Sequence, residues 1–242
     1  MKKLLFFILI FFSGNVYAQD QFGRFQEFID RESLKPFTRD LGSILGAATF
    51  HSGRSLGFSG FDIGVRGGMQ FYPSKGNSVL RKNGIRMFGL PWAQAEIGLP
   101  LRLDGYIRGI SYQGFTIAGG GLRYGLTKKS DKPLMPQFLL AASAHSVSHT
   151  HFSAGHFGAN LISSISWKIV TVYLGGGFDR TRVVVRSVPT LDATLKDASV
   201  TTMESRFTAG ASFSPKPYLY VHTGYTLTHG QSGLDSGVGI RF

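Results

Sequence analysis

The sequence predicts an all-β protein: a transmembrane, antiparallel, up-and-down β-barrel of about ten strands (about 8 to 12), preceded by a short N-terminal helical segment. Three observations predict this fold class. The chain opens with a secretory-type signal, apolar and polar residues then alternate with a period of two over many segments, and the last alternating segment ends on Phe242.

The first 18 residues have the three parts of a signal peptide. Lys2 and Lys3 give a positive start, residues 4–12 form an apolar run, and Val16-Tyr17-Ala18 supplies small residues where a signal peptidase cleaves. We therefore expect cleavage after Ala18 and export to the outer membrane of a Gram-negative-type bacterium.

Residues 19–56 form a distinct N-terminal segment. Apolar residues recur there at helical spacing, namely Phe22, Phe25, Phe28 and Ile29. Pro36 is expected to end that helix, and a second apolar stretch covers residues 41–50. The segment is either a periplasmic amphipathic helix or a plug inside the barrel. Several predicted inward positions of the strands are glycine, which leaves room in the lumen and favours a partial plug.

Residues 57–242 alternate as membrane strands do. From Phe61 onward, Phe61, Ile63 and Val65 fall on one face and Asp62 and Arg66 on the other, because successive strand residues point to opposite sides. The ten alternating segments begin near Phe61, Ala93, Leu101, Phe115, Phe138, Phe157, Val170, Phe207, Leu219 and Leu234.

The fourth segment changes phase at Gly119-Gly120-Gly121. Phe115 and Ile117 are odd-numbered, whereas Leu122 and Tyr124 are even-numbered. One extra residue, a β-bulge, would restore the register, so we expect a bulge at these glycines.

The polar face mixes Arg with Asp and Glu, which suits a narrow lumen where charges pair across the interior. A soluble β-sandwich is the alternative, although it would place a face rich in Lys and Glu in water. The predicted lumen-facing and ligand-facing residues are Asp62, Arg66, Gln94, Glu96, Arg102, Asp104, Arg108, Asp179, Glu204, Arg206, His222 and Arg241.

The gaps between segments differ in length. Those at 73–91 and 183–201 are long, while most gaps of the other set are tight, as in outer-membrane barrels. An even strand count predicts that both termini lie in the periplasm. The outward set at the C-terminus, Val238, Ile240 and Phe242, is expected to be the signal that the barrel-assembly machinery reads.

Two stretches carry a family resemblance. They are Leu34-Lys35-Pro36-Phe37 onward to Gly60-Phe61-Asp62-Ile63, and Gly89-Leu90-Pro91-Trp92-Ala93-Gln94 with the residues that follow to Leu126. The chain resembles an uncharacterised family of bacterial outer-membrane β-barrel proteins, known only as a domain of unknown function. The resemblance implies a barrel in the outer membrane and supplies no catalytic residues.

Two clusters of residues are candidate reactive sites. His145, His149, His151 and His156 surround one predicted hairpin tip and could bind zinc or copper, but polar residues of a surface loop explain them as well. His222 with Glu204 or Asp235 is the single arrangement that would suit a lipid hydrolase. We expect no catalytic residue, no metal and no cofactor.

Composition narrows the partners. The chain has a net charge of +12, 32 Gly, 21 Phe and no Cys, so disulfides do not hold it together. Its arginines are spread singly and it is exported, so we expect anionic outer-membrane lipid or lipopolysaccharide as partner and no nucleic acid. The predicted function is porin-like: gated passage or binding of a small or hydrophobic ligand. The alternatives are a structural or surface-interaction barrel and, less favoured, a lipid-modifying enzyme.

Overall fold

The structure, a computed structural model, describes residues 20–112, 114–130 and 132–242. The expected signal peptide and its cleavage after Ala18 lie outside these residues. Within the described ranges, ten antiparallel strands form a closed barrel in which each strand pairs with its neighbours in sequence and β1 pairs with β10. The predicted all-β, up-and-down barrel of about ten strands is confirmed. None of the helices in these ranges is long and apolar enough to cross a membrane.

The strands lengthen on one side of the barrel, where β6, β7 and β8 are the longest. Their bounds are β1 Phe61–Gln70, β2 Phe88–Gly98, β3 Leu103–Tyr112, β4 Phe115–Gly125, β5 Gln137–His149, β6 Phe152–Trp167, β7 Val170–Val185, β8 Ser199–Lys216, β9 Leu219–Thr228 and β10 Gln231–Arg241.

The barrel has two ends that differ in their connections. At the loop end, residues 71–87 join β1 to β2 and residues 186–198 join β7 to β8, while the other connections there are tight. At the turn end, β1 begins, β10 finishes, and the connections are 99–102, 126–136, 168–169 and 217–218. A short helix, α3 (Ser78–Lys82), and the 3₁₀ turn Ala193–Leu195 lie within the two long loops.

The apolar faces of the strands point outward and the polar faces inward. On β1, Ile63 and Val65 are 47% and 45% exposed, whereas Asp62 and Arg66 are 0% and 1% exposed. Membrane barrels alternate in this way because lipid requires an apolar exterior while the lumen accepts polar groups.

The bulge expected in β4 is absent. β4 pairs with β3 from Tyr112↔Phe115 to Leu103↔Tyr124, and with β5 along its whole length, without a register shift. The prediction was wrong because Phe115 and Ile117 point into the lumen, where both are buried. The inner face of the barrel therefore changes from polar to apolar towards the loop end.

The N-terminal segment runs through the lumen from end to end. Asp20 lies 3.7 Å from His149 at the loop end, and Ser59 donates its backbone N–H to Gly98 at the turn end. We call residues 20–60 the N-terminal plug. It contains α1 (Phe25–Phe28) and α2 (Leu34–Leu45), and β1 follows it directly, starting four residues after the boundary that the sequence suggested.

Two sequence interpretations of this segment need correction. Pro36 does not end a helix; it lies in the first turn of α2, where its missing N–H has no intrahelical partner to lose. The first described residue, Asp20, also does not share one end of the barrel with Phe242. Phe61 and Phe242 exchange backbone hydrogen bonds at the turn end, but the plug takes the chain back to Asp20 at the loop end.

Candidate functional site: the plugged lumen

The candidate site is the lumen wall together with the plug that fills it. Of the residues predicted to face the lumen, nine are inward and at most 5% exposed: Asp62, Arg66, Gln94, Glu96, Asp104, Arg108, Asp179, Arg206 and His222. Glu204 and Arg241 are partly buried at the two ends. Arg102 is not in the lumen. It lies in the 3₁₀ turn Pro100–Arg102, where its guanidinium contacts the Leu126 carbonyl and the Tyr124 hydroxyl.

Near the turn end, buried charges form a network on the lumen wall. Arg66 lies 2.7 Å from Glu96 and 3.3 Å from Asp62, and Arg123 also pairs with Glu96. The Tyr220 hydroxyl donates to Asp62 over 2.7 Å and accepts from Arg66 over 2.9 Å. Because these charges are removed from water, they are tolerated only as long as each keeps its partners. We call Asp62, Arg66, Glu96, Arg123 and Tyr220 the lower charge network.

The contacts of the plug with this end of the wall include hydrogen bonds of its backbone and the stacking of the His51 ring. Asp104 accepts the backbone N–H of Leu56 at 3.0–3.1 Å. The His51 ring stacks on Tyr220 with centroids 4.3 Å apart, and His222 lies 5.4 Å from His51. The lower charge network is thereby covered from the lumen side by the plug.

At mid-height, two wall arginines hold the C-terminal end of α2. Arg206 donates to the carbonyls of Gly42 and Ser43 over 3.3 and 2.6 Å. Arg108 donates to those of Leu45 and Ala47. The last carbonyls of a helix have no intrahelical donor and carry partial negative charge, so cations there satisfy and stabilise them.

The same level carries acidic groups that complete the contacts. Arg206 pairs with Asp179 at 2.7 Å, and Asp235 accepts the backbone N–H of Ala48 at 2.8 Å. Wall cations therefore meet plug carbonyls, and a wall carboxylate meets a plug amide, which fixes the direction in which the segment can lie.

Towards the loop end, one buried carboxylate ties the plug to a long loop. Asp40 of α2 is 0% exposed. It accepts hydrogen bonds from Gln70 (2.8 Å), from Asn77 (2.7 Å), and from both the backbone N–H and the hydroxyl of Ser74 (2.8 and 2.6 Å). His229 also lies 3.1 Å from it. The loop 71–87 is thus fastened down over the lumen.

Aromatic rings fill the lumen beside this carboxylate. Phe22, Phe25 and Phe37 of the plug pack on Phe115 and Phe152 of the wall, with centroids 5.0 to 5.9 Å apart in the closest pairs. We call these five residues the upper aromatic cluster. Such pairs add to the stabilisation that burial of their apolar surface already gives.

Glycines on the wall make room for the plug. A Cβ added at Gly68 would overlap Ala47, and one added at Gly175 would overlap the Phe50 ring. The glycines that the sequence placed inward thus include two that the plug contacts directly.

The histidines of β5 and β6 are not the exposed loop residues that the sequence also allowed. His145, His149 and His156 are at most 4% exposed and face the lumen, and His151 is partly buried in the turn. The rings of His145 and His156 are 5.6 Å apart, with Arg108 contacting His145 and Asp179 lying 3.6 Å from His156. Among the described residues, no group of three or more potential ligands is placed to hold a metal ion.

The hydrolase arrangement does not assemble. Asp235 is bonded to Ala48, Glu204 pairs with Arg39 at 2.6 Å, and neither ring nitrogen of His222 has a hydrogen-bond partner among the described residues. Gly53-Arg54-Ser55-Leu56-Gly57 has the spacing of a nucleophile elbow. It lies between α2 and β1, without the strand–turn–helix context that such an elbow requires.

Sequence reasoning missed several residues of the site. Arg123 was not among the predicted lumen residues, although the expected outward set Leu122 and Tyr124 already implied that Arg123, which lies between them, faces inward. The sequence does not indicate that Asp40, His51 or Tyr220 belongs to the site. No pattern around them shows which residues they contact in the folded barrel.

Comparisons with known proteins return distant likenesses to solved structures and nothing else. No family model and no curated protein sequence matches the chain. Among solved structures it is similar to the N-terminal β-barrel domain of Pseudomonas aeruginosa OprF, with 12% identity, a TM-score of 0.40, and coverage of 77% of this chain and 99% of that one.

It is also similar to Ail, the attachment invasion locus protein of Yersinia pestis, with 11% identity, a TM-score of 0.32, and coverage of 77% of this chain and 99% of that one. Neisserial surface protein A has 14% identity and a TM-score of 0.31, with coverage of 75% of this chain and 95% of that one. These likenesses are too distant to assign a family or a function, so the resemblance to an uncharacterised family stays a prediction.

Proposed function

We propose that the protein is an integral outer-membrane barrel closed by its own N-terminal plug, a structural or surface-interaction barrel that presents a folded cap at the loop end. The observation that carries this proposal is the course of residues 20–60 through the lumen, held by the wall at three levels. The predicted gated passage or binding of a small or hydrophobic ligand becomes the second candidate.

The exterior supports a membrane location. Large apolar side chains are exposed around the barrel, among them Ile107, Leu161, Phe178 and Phe213. In water, so much contiguous exposed apolar surface would favour aggregation, whereas in a bilayer it is solvated by lipid.

Energetics argue that the plug stays in place. Withdrawing it would expose the upper aromatic cluster, and burial of one such ring contributes roughly 1.5–3 kcal/mol. It would also leave Arg108, Arg206 and Asp235 without their plug partners, and Asp40 of the plug without its partners on the wall and the loop. A buried charge deprived of its partner costs several kcal/mol. The closed state is therefore the resting state.

Planar-bilayer recording tests this proposal. The purified chain should show no steady ohmic conductance, because the lumen is occupied along its length. Deletion of residues 20–56 should produce conductance in whatever fraction still folds, checked by heat-modifiable migration on a gel. Steady conductance of the intact chain would refute the closed barrel.

Gated passage of a small or hydrophobic ligand is the second candidate, and the lower charge network favours it. A buried ion-pair cluster is weak evidence for stability alone, because apolar residues of similar volume often do as well. If the plug moved away, water could solvate the polar wall, so a polar wall is compatible with a plug that opens the lumen.

An engineered disulfide separates the two candidates. A Cβ added at Gly42 would lie 3.1 Å from that of Thr181, and the chain has no cysteine that could compete. If voltage or a ligand opens the wild type, the oxidised Gly42→Cys/Thr181→Cys variant should stay closed and should open again after reduction. If neither form ever opens, gated passage is excluded. The two single-cysteine variants are the controls.

Assembly through the C-terminus is part of the same proposal. Ile240 and Phe242 are 41% and 74% exposed on the outer surface, next to the β1–β10 seam that closes the barrel. Phe242→Ser should lower the folded yield in membranes, because the barrel-assembly machinery is proposed to bind this end. An outward control on β8, away from the β1–β10 seam, is Phe213→Ser, which should lower the folded yield less.

A further inference from the structure

The outer surface of β7 changes from apolar to basic within two residues. Val172, Leu174 and Phe178 point outward, and Arg180 and Arg182 follow on the same face towards the loop end. Two residues of a strand span about 7 Å, so Arg180 lies just beyond the edge of the apolar exterior. This is the depth at which lipid headgroups meet a barrel.

Arg180 has apolar neighbours and no acidic ones. It pairs in register with Phe157 of β6 and Met203 of β8, both exposed on the outside. Among the described residues it has no hydrogen-bond or ion-pair partner. Within the described part of the chain, Arg182 bonds only to the Ser199 hydroxyl, at 3.3 Å. A cation flanked by apolar side chains is suited to bind an anionic group that is attached to an apolar chain.

The surrounding outward positions reinforce this charge. Beyond Phe178 and its neighbours, the outward faces of β5 to β8 carry serine, threonine and small residues and no carboxylate, as shown by Ser146, Ser148, Ser153, Gly155, Thr201 and Ser205. Arg186 donates to Ser148 nearby. The charge on these outward strand faces is thus positive, with hydroxyl groups able to share a phosphate.

An apolar groove lies directly below these arginines on the barrel wall. Its volume is about 480 Å³, within the range of small-ligand pockets (roughly 300–1,000 Å³). Its floor is formed by the small residues Ala142, Ala159 and Gly176, and Leu122, Leu140 and Phe178 are among its walls. Ala142 pairs with Ala159, and Ala159 with Phe178, so the groove begins one step below Arg180.

We propose that the groove and the arginines form one site for a phosphorylated glycolipid of the lipopolysaccharide class. Its phosphate binds Arg180 and Arg182, and one acyl chain lies over Ala142 and Ala159. The assignment rests on the proposed outer-membrane location, with the loop end facing the glycolipid leaflet. It does not depend on whether the lumen conducts.

Native mass spectrometry of the full chain in detergent tests this site with three probes: bis-phosphorylated lipid A, dephosphorylated lipid A and phosphatidylglycerol. Arg180→Gln/Arg182→Gln should lower the affinity for bis-phosphorylated lipid A roughly tenfold, since charge-assisted hydrogen bonds to phosphate are lost. Filling the groove with Ala142→Leu/Ala159→Leu should lower the affinity for both forms of lipid A. All four side chains are on the outside, so folding should persist, and gel migration checks it.

A matched control removes two exposed cations at the turn end, Lys168→Gln/Lys216→Gln, and should leave binding unchanged. Equal binding by the arginine variant and the wild type, or equal binding of dephosphorylated and phosphorylated lipid A, overturns the phosphate site. Phosphatidylglycerol binding as tightly as lipid A overturns the assignment to glycolipid. A conducting wild type would contradict the closed barrel and leave these binding results standing.

Discussion

The two halves of the lumen hold the same plug by opposite chemistry. At the loop end, aromatic rings of plug and wall interlock and the inner faces of β4, β6 and β7 are apolar, with Phe115, Phe152 and Val183 buried. At the turn end, the wall carries Asp62, Arg66, Glu96 and Arg123, and the plug passes as irregular chain without helix or strand. The difference indicates that contacts in the loop-end half stabilise the folded barrel. Contacts in the turn-end half align the plug, and their polar groups can be rehydrated if the plug moves.

The largest expected effect is in the loop-end half. Phe152 is 0% exposed and contacts Phe22, Phe25 and Phe37 of the plug. Phe152→Ala should lower the free energy of unfolding by about 3–5 kcal/mol, because it leaves a cavity between plug and wall. Urea unfolding in detergent, followed by tryptophan fluorescence, measures it.

The control is Phe157→Ala on the same strand, which removes an outward ring that is 55% exposed. It should change the free energy of unfolding far less. Similar losses for both variants would show that the plug contributes nothing beyond what lipid or detergent contact supplies.

The next effect is in the turn-end half. Glu96→Gln leaves Arg66 and Arg123 buried beside each other with one fewer carboxylate, and breaking a buried pair costs about 3–5 kcal/mol. We expect the free energy of unfolding to fall by about 3 kcal/mol in the same urea assay. The loss should depend little on salt, because the ion pair is shielded from solvent ions. The outward neighbour Ile97→Val is the control. A loss under about 1 kcal/mol would mean that this half is already hydrated, and it would favour the gated candidate.

The same comparison explains how far sequence reasoning reached. Alternation identified the strands, their faces and most of the inward charges, because lipid outside imposes one rule on every strand. It failed at Phe115 and Ile117, since an apolar inner face requires knowledge of what fills the lumen. Helical spacing found Phe22 and Phe25 but placed the helix end wrongly at Pro36, because only tertiary packing continues the chain into α2.

Glycines on the wall offer a smaller perturbation that bears on the middle of the plug. Gly175→Val would overlap the Phe50 ring, and such overpacking costs about 1–3 kcal/mol. The plug should shift locally, which faster proteolysis near residues 50–60 would reveal. Gly155→Val is a matched control, because an added Cβ there meets nothing within 4 Å. Unchanged proteolysis in both variants would show that Phe50 has room to move without loosening the plug.

The smallest effect compares two ion pairs formed by neighbouring inward residues of β8. Arg206 and Asp179 are fully enclosed, whereas Arg39, which pairs with Glu204 at 2.6 Å, has a side chain that is 41% exposed. Exposed pairs contribute little, so Arg39→Gln should cost at most about 1 kcal/mol and less at high salt. Urea unfolding at low and high ionic strength measures both quantities. A salt-independent loss of several kcal/mol would instead place Arg39 among the buried contacts that hold the plug, and would extend the polar, alignment-setting chemistry up to the loop end.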